Sequence, residues 1–175
     1  MTRLRWRVAA AALLLATVGV AARGADREVE RGKYLVEFGG CNDCHTPGYF
    51  LGHPDEKRYL GGSDVGFALP GAGVFVAPNL TPDKATGLGN WTAAQIVTAI
   101  TKGERPDGRI LAPIMPWRSL AHLTHADAVA IAAYLKSIPA VAHKVPGPFG
   151  PDDKPDVFVM LVVPGDVYAG LPKPK

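Results

Sequence analysis

The sequence predicts a small domain of a few short helices joined by long, shaped loops, and three observations predict it. Helical spacing of apolar residues is confined to three short stretches, near 28–39, 90–103 and 126–138. Glycine (20) and proline (16) are abundant for 175 residues while apolar content is ordinary, so the chain breakers belong to structured loops rather than to disorder. From Thr46 to Asp83 no period lasts, being interrupted by Gly61-Gly62, by Gly71-Ala72-Gly73 and by several prolines. A loop of that length inside a compact domain needs a large body beside it, and a bound prosthetic group would supply one.

Taken in order, the chain opens on Arg3, Arg5 and Arg7 without an acid, followed by the small-residue-rich apolar run Val8–Ala22. That pattern is a secretory signal, with Val20/Ala22 or Ala22/Gly24 as the small pair before the cut. An uncleaved anchor is the plainer alternative, although a membrane span takes about 20 residues and this run is shorter. The organisation expected is therefore a signal peptide over 1–24, a domain over 25–139 and a proline-rich tail over 140–175. Removing the four arginines of the signal from the 19 basic residues leaves 15 against 16 acids, so the basic pI of about 8.9 belongs to the part that is cut away. Nothing in the mature charge favours nucleic acid, and a membrane is a partner only if the signal is kept as an anchor.

The first helix, 28–39, carries Leu35 and Phe38 one turn apart on a shared face and stops at Gly39-Gly40. The second begins at Asn90-Trp91-Thr92, where Thr92 and Gln95 have the form of a capping box, and ends at Gly103 after the stripe Ile96, Val97, Ile100. Between helices, Leu111–Trp117 is expected to be extended because Pro113 and Pro116 flank Ile114-Met115. Thr124 then caps a third helix of about Ala126–Ser137, stopped by Pro139. The tail from Pro139 onward holds eight of the sixteen prolines, and its one apolar run, Val157–Val163, fits an edge strand or an extended arm.

The chemistry sits in Cys41-Asn42-Asp43-Cys44-His45, which contains both cysteines of the chain. Two thiols three positions apart can each add to one vinyl group of a haem, and the adjoining histidine then lies under the iron as its proximal ligand. A redox dithiol would need the pair at a helix start after a strand, whereas here it follows a helix. A zinc site would need two further ligands, and His122 and His125 straddle a predicted cap. For the opposite side of the iron the mature candidates are Met115 and Met160. Met115 is preferred, since its proline-braced loop can aim a side chain and exclude water, and a thioether there favours ferrous iron.

Arg31-Gly32-Lys33-Tyr34-Leu35 followed by Cys41–His45-Thr46 resembles the opening of monohaem class I-type cytochrome c modules. The likeness is closer to the haem modules of cytochrome subunits of periplasmic alcohol, aldehyde and sugar dehydrogenases. Asn79–Asp83, Thr86–Thr92, Asp107–Leu111, Met115-Pro116-Trp117 and Ala133–Ser137 follow in the expected order, and the likeness runs from about Glu28 to Pro139. It implies the all-α cytochrome c fold, in which the first and last helices cross, Gly32 permits their close approach and Tyr134 or Leu135 packs against it. The departure is copy number: those subunits carry several modules, and this chain has one Cys-x-x-Cys-His.

Weaker candidates are Trp91 and Arg109 as hydrogen-bond donors to haem propionates, with Tyr59 and Asn79 weaker still. The sequons at Asn79 and Asn90 are discounted as chance. The function expected is one-electron transfer in the periplasm by a single covalent haem c, from a donor dehydrogenase to an acceptor oxidase or cytochrome, without catalysis by the chain itself. Two rivals stand beside it: a haem enzyme or gas sensor with an open sixth position, and a permanent electron-transfer subunit of a dehydrogenase held through the tail.

Overall fold

The computed structural model describes residues 24–172, so Met1–Arg23, and with them nearly all of the expected signal, lie outside the described residues. The chain forms two compact units, each drawn from three separated stretches. Of the described residues, the first takes 24–39, Trp91–Leu111 and Trp117–Ile138, and the second Gly40–Asn90, Ala112–Pro116 and 139–172.

The first unit is helical. Its opening helix α1 covers 24–38 and buries Gly32 and Val36, with Val29 and Leu35 half-buried, the spacing of one helical stripe. Phe38 does not share that face: it is 78% exposed and stacks on Tyr34, ring centroids 5.8 Å apart. The stripe is offset because one of its members is a glycine, which carries no apolar side chain to signal it. Helix α3, Ala93–Lys102, starts with both halves of the expected capping box, Gln95 N–H donating to Thr92 Oγ1 and Thr92 N–H donating to Gln95 Oε1. It ends at Gly103 (φ 71°), over which the Trp117 ring of the single-turn helix α4, Trp117–Leu120, lies so closely that a Cβ would fall 2.8 Å from the indole nitrogen.

Helix α5, His125–Ser137, is capped by Thr124, whose hydroxyl accepts from Asp127 N–H at 3.1 Å. Ala128, Ala130, Ile131, Ala132, Tyr134 and Leu135 are all buried, so the helix is enclosed on most sides and packs on both α3 and α1. The crossing of α1 and α5 is at Gly32, where an added Cβ would run into the Ala130 carbonyl and lie 2.8 Å from Tyr134 Cβ. Beside it Arg31 Nε donates to Asp127 Oδ1 at 2.8 Å; with the arginine half in solvent the pair adds little stability but fixes the register of the two helices.

The second unit corrects the all-α expectation. The family of short helices is joined there by a three-stranded sheet of order β2-β1-β3, where β1 is Val65–Leu69, β2 is Gly73–Val76 and β3 is Phe158–Met160. Strands β1 and β2 form an antiparallel hairpin about Pro70–Ala72, and β3 joins β1 in parallel with Val65 opposite Phe158. The hairpin lies inside the stretch expected to be loop, which also contains two 3-10 turns, Tyr49–Leu51 and Glu56–Arg58. Val65, Gly66 and Phe67 are buried in succession, so the strand lacks the alternation that would have marked it. Of the two forms open to Val157–Val163, the edge strand is the one adopted, and a short helix α6, Gly165–Gly170, follows it.

The first half of the tail is a strap on this unit. Asn79, 1% exposed, accepts from Thr81 N–H and Thr81 Oγ1 through Oδ1, and its Nδ2 donates to Val141 carbonyl (2.7 Å) and to Thr86 Oγ1 (3.1 Å). Val141 N–H returns a bond to Thr81 Oγ1, and His143 Nδ1–H donates to the Gly61 carbonyl at 2.7 Å. A carboxamide so enclosed is no glycosylation acceptor. Asn79→Leu would leave Thr81 N–H without its acceptor and the Val141 carbonyl with only the long 3.4 Å bond from Thr81 Oγ1, and we expect a loss of about 2 kcal/mol in urea unfolding. A loss within ordinary surface scatter would show that the strap is not held by this residue.

Candidate haem-attachment site

The five residues Cys41–His45 form their own single helical turn, α2, entered through Gly40 in the left-handed region (φ 62°). Asp43 N–H bonds to the Gly40 carbonyl and Thr46 N–H to the Asn42 carbonyl, both at 3.0 Å. Cys41 and Cys44, at i and i+3, therefore stand on one side of the turn as free, half-buried thiols. Burial and the neighbouring Asp43 carboxylate push Cys41 up to about 11 and raise Cys44 in the same direction, so both are protonated at neutral pH. A reactive dithiol requires the opposite, a thiolate stabilised below its ordinary range. Among the described residues no group of three or more His, Cys, Asp or Glu is placed to hold a metal ion.

His45 is buried, and its surroundings assign its two nitrogens. Nδ1 lies 2.7 Å from the Pro78 carbonyl; a carbonyl only accepts, so Nδ1 carries the hydrogen and Nε2 keeps its lone pair. Burial pushes the imidazole's pKa down, against the smaller opposing pull of the Pro78 carbonyl, and keeps the ring neutral, the form that ligates iron.

The backbone around the histidine is equally tied. Leu60–Ser63 is the hub: Leu60 N–H donates to Thr46 Oγ1, Gly62 N–H to the His45 carbonyl and Ser63 N–H to the Ala77 carbonyl. Leu80 N–H donates in turn to the Leu60 carbonyl. Leu60, fully buried, holds φ 57°, a conformation costing on the order of 1–2 kcal/mol for a residue with a Cβ, which these bonds maintain. The loop that sequence shows only as aperiodic is thus the wall that aims the imidazole.

Met115 is half-buried in the same unit, in Ala112–Pro116. That segment is not extended as expected: Met115 N–H bonds to the Ala112 carbonyl at 2.9 Å, closing a turn, because the Pro113 ring presets the dihedral a turn needs at its second residue. Met160 lies on β3 and is exposed. Of the propionate candidates, Trp91 holds the Arg105 guanidinium over its ring at 5.2 Å and Arg109 pairs with Asp107 at 3.1 Å. The buried Nε1–H of Trp117 has no acceptor among the described residues. An orphaned buried N–H costs about 1–3 kcal/mol.

Two protonated thiols and a neutral, oriented imidazole on one turn are groups that could hold a haem covalently and ligate its iron. The chain matches the cytochrome c family over residues 29–139 and belongs to it. Haem, iron and electron transport come with that membership.

Among relatives, the chain is similar to the fructose dehydrogenase cytochrome subunit of Gluconobacter japonicus, 36% identical over 115 residues, covering 64% of this chain and 22% of the relative. It is 31% identical over 160 residues to the cytochrome c subunit of a quinone alcohol dehydrogenase from Gluconacetobacter polyoxogenes, 90% of this chain and 31% of the relative. A diheme c-type cytochrome of Cereibacter sphaeroides is 40% identical over 119 residues, 65% of this chain and 36% of the relative. The chain thus spans between about a fifth and just over a third of the length of these relatives.

Proposed function

We propose that the chain is an exported, periplasmic carrier of single electrons with one haem c, taking electrons from a dehydrogenase and passing them towards a respiratory acceptor. Cys41 and Cys44 would hold the haem through thioethers, and His45 Nε2 and the Met115 sulfur would supply its two iron ligands. The observation that carries the reading is the hydrogen bond from His45 Nδ1 to the Pro78 carbonyl, which leaves Nε2 as a fixed lone-pair donor beside the two thiols. The haem supplies a one-electron iron couple; the chain's residues orient the ligand, exclude water and set the potential. Trp91 and Arg109 serve in this reading as donors to the haem carboxylates. No substrate is bound and no proton need move.

Optical spectra test the ligand pair. The oxidised protein should show a weak sulfur-to-iron charge-transfer band in the far red that disappears in Met115→Ala, while the haem stays attached. A wild-type protein that is already high-spin and takes up carbon monoxide would replace this reading with a haem enzyme or gas sensor. The relatives' names favour a second form of the same role, permanent residence in a dehydrogenase complex. Co-purification with a dehydrogenase under native conditions separates that from a free shuttle.

A further inference from the structure

We infer that His143, in the tail, is a positioning residue for the iron ligand: through the strap 141–145 it holds the hydrogen bond on His45 Nδ1 and so helps to set the reduction potential, an inference that rests on the reading of His45 as an iron ligand. The strap lies past residues 29–139, over which the chain matches its family.

His45 is tied at two points, and the residue beside each tie is bonded to the strap. Its carbonyl accepts from Gly62 N–H at 2.8 Å, and the adjoining Gly61 carbonyl accepts from His143 Nδ1–H at 2.7 Å. Its Nδ1–H donates to the Pro78 carbonyl at 2.7 Å, and the adjoining Asn79 Nδ2–H donates to the Val141 carbonyl at 2.7 Å. Between these points the strap's own backbone is fixed, Val141 N–H donating to Thr81 Oγ1 at 3.0 Å and His143 N–H to Thr86 Oγ1 at 3.1 Å.

Packing follows the same pattern. Val141, His143 and Val145 are half-buried while Ala142 and Lys144 are exposed, the two-residue period of an extended segment with one face inward. That face closes over two glycines: a Cβ on Gly61 would lie 3.1 Å from Val141 Cγ1, and one on Gly62 would run into Val145 Cγ2. The His143 ring is flanked on both sides. Its Nδ1 is bonded to Gly61, and Arg58 Nη1, from a guanidinium paired with Asp55 at 2.8 Å, lies 3.5 Å from Nε2.

A hydrogen bond from the far ring nitrogen to a carbonyl makes a ligating imidazole more basic, and a more basic ligand favours ferric iron. Loosening the strap frees the segments on both sides of His45, weakens the bond to Pro78 and moves the couple towards ferrous iron, a higher potential.

Redox titration of the haem-loaded chain tests this with two substitutions. His143→Leu removes the donor to Gly61, whereas His143→Asn keeps an N–H where Nδ1 stands. At the potential that half-reduces the wild type, the ferrous-to-ferric ratio should rise several-fold in His143→Leu and return close to one in His143→Asn. The His45 Nδ1 proton should also exchange with deuterium faster in His143→Leu than in the wild type. A purely structural strap would lower the urea midpoint of His143→Leu and leave both readouts in place; that result, or a lowered potential, overturns the inference. Thr86→Val removes the acceptor of His143 N–H without touching Gly61, should shift the couple in the same direction, and carries the test if His143→Leu does not fold. A wild-type iron without a histidine ligand in its spectrum overturns the reading of His45 and this inference with it, whereas an unchanged couple on a normal His45-ligated spectrum overturns the inference alone.

Discussion

Replacing Cys41 and Cys44 together by alanine should release all of the haem into acidified organic solvent, whereas the native chain keeps it on the polypeptide through denaturation. The attachment requires two sulfur–carbon bonds, one to each former vinyl group, and α2 offers its only two thiols side by side. In the double variant His45 and the Pro78 carbonyl are intact, so the pocket can still ligate iron, but only reversibly. Each single variant should retain the haem through one bond and shift the alkaline pyridine spectrum towards that of a haem with one unsaturated side chain. Haem retention by the double variant would mean that the cysteines are not the attachment points, whatever the ligands of the iron. Because thiols held protonated by burial are poor redox nucleophiles, the variant should lose no dithiol exchange activity.

The second large effect belongs to Gly32. Gly32→Val should destabilise the chain by about 3 kcal/mol or more, read as a fall in denaturant midpoint, and Gly32→Ala should already lose a large part of that. The reason is what the new Cβ meets. A flexible side-chain tip can swing aside, but here the obstacles are the Ala130 carbonyl and Tyr134 Cβ, which move only if α5 moves as a body. That helix is also packed on α3, so its displacement would disturb a second interface. Gly165→Ala is the control: a Cβ there has nothing within 4 Å, and its effect should stay within about 0.5 kcal/mol. Equal effects of the two substitutions would show that the α1–α5 crossing is not close in solution.

What was legible in the sequence was local or covalent. Thr92-Gln95, Gly103 and Thr124 mark helix ends through bonds spanning three or four residues, and each stands where the sequence puts it. Gly32 was legible only through resemblance, since a glycine in a helical pattern does not itself say that another helix crosses there. The sheet was not legible because its defining pair, Val65 with Phe158, joins distant parts of the chain and β1 lacks alternation. Phe38 misled because apolar spacing was scored without knowing that Gly32 was on the buried stripe. At the site, Cys41, Cys44 and His45 announce themselves by spacing, whereas the group that orients the histidine is a backbone carbonyl, and any residue at position 78 would have one. The role of Met115 rests on the optical experiment above.

The Asn79–Val141 bond has a consequence for the order in which the molecule is completed. Ribosomes deliver the chain amino-end first, so Cys41–His45 and the Pro78–Asn79 segment exist well before residue 141 does. Until that later segment arrives, the carboxamide beside Pro78 lacks one of its partners and the wall against the imidazole is unlatched.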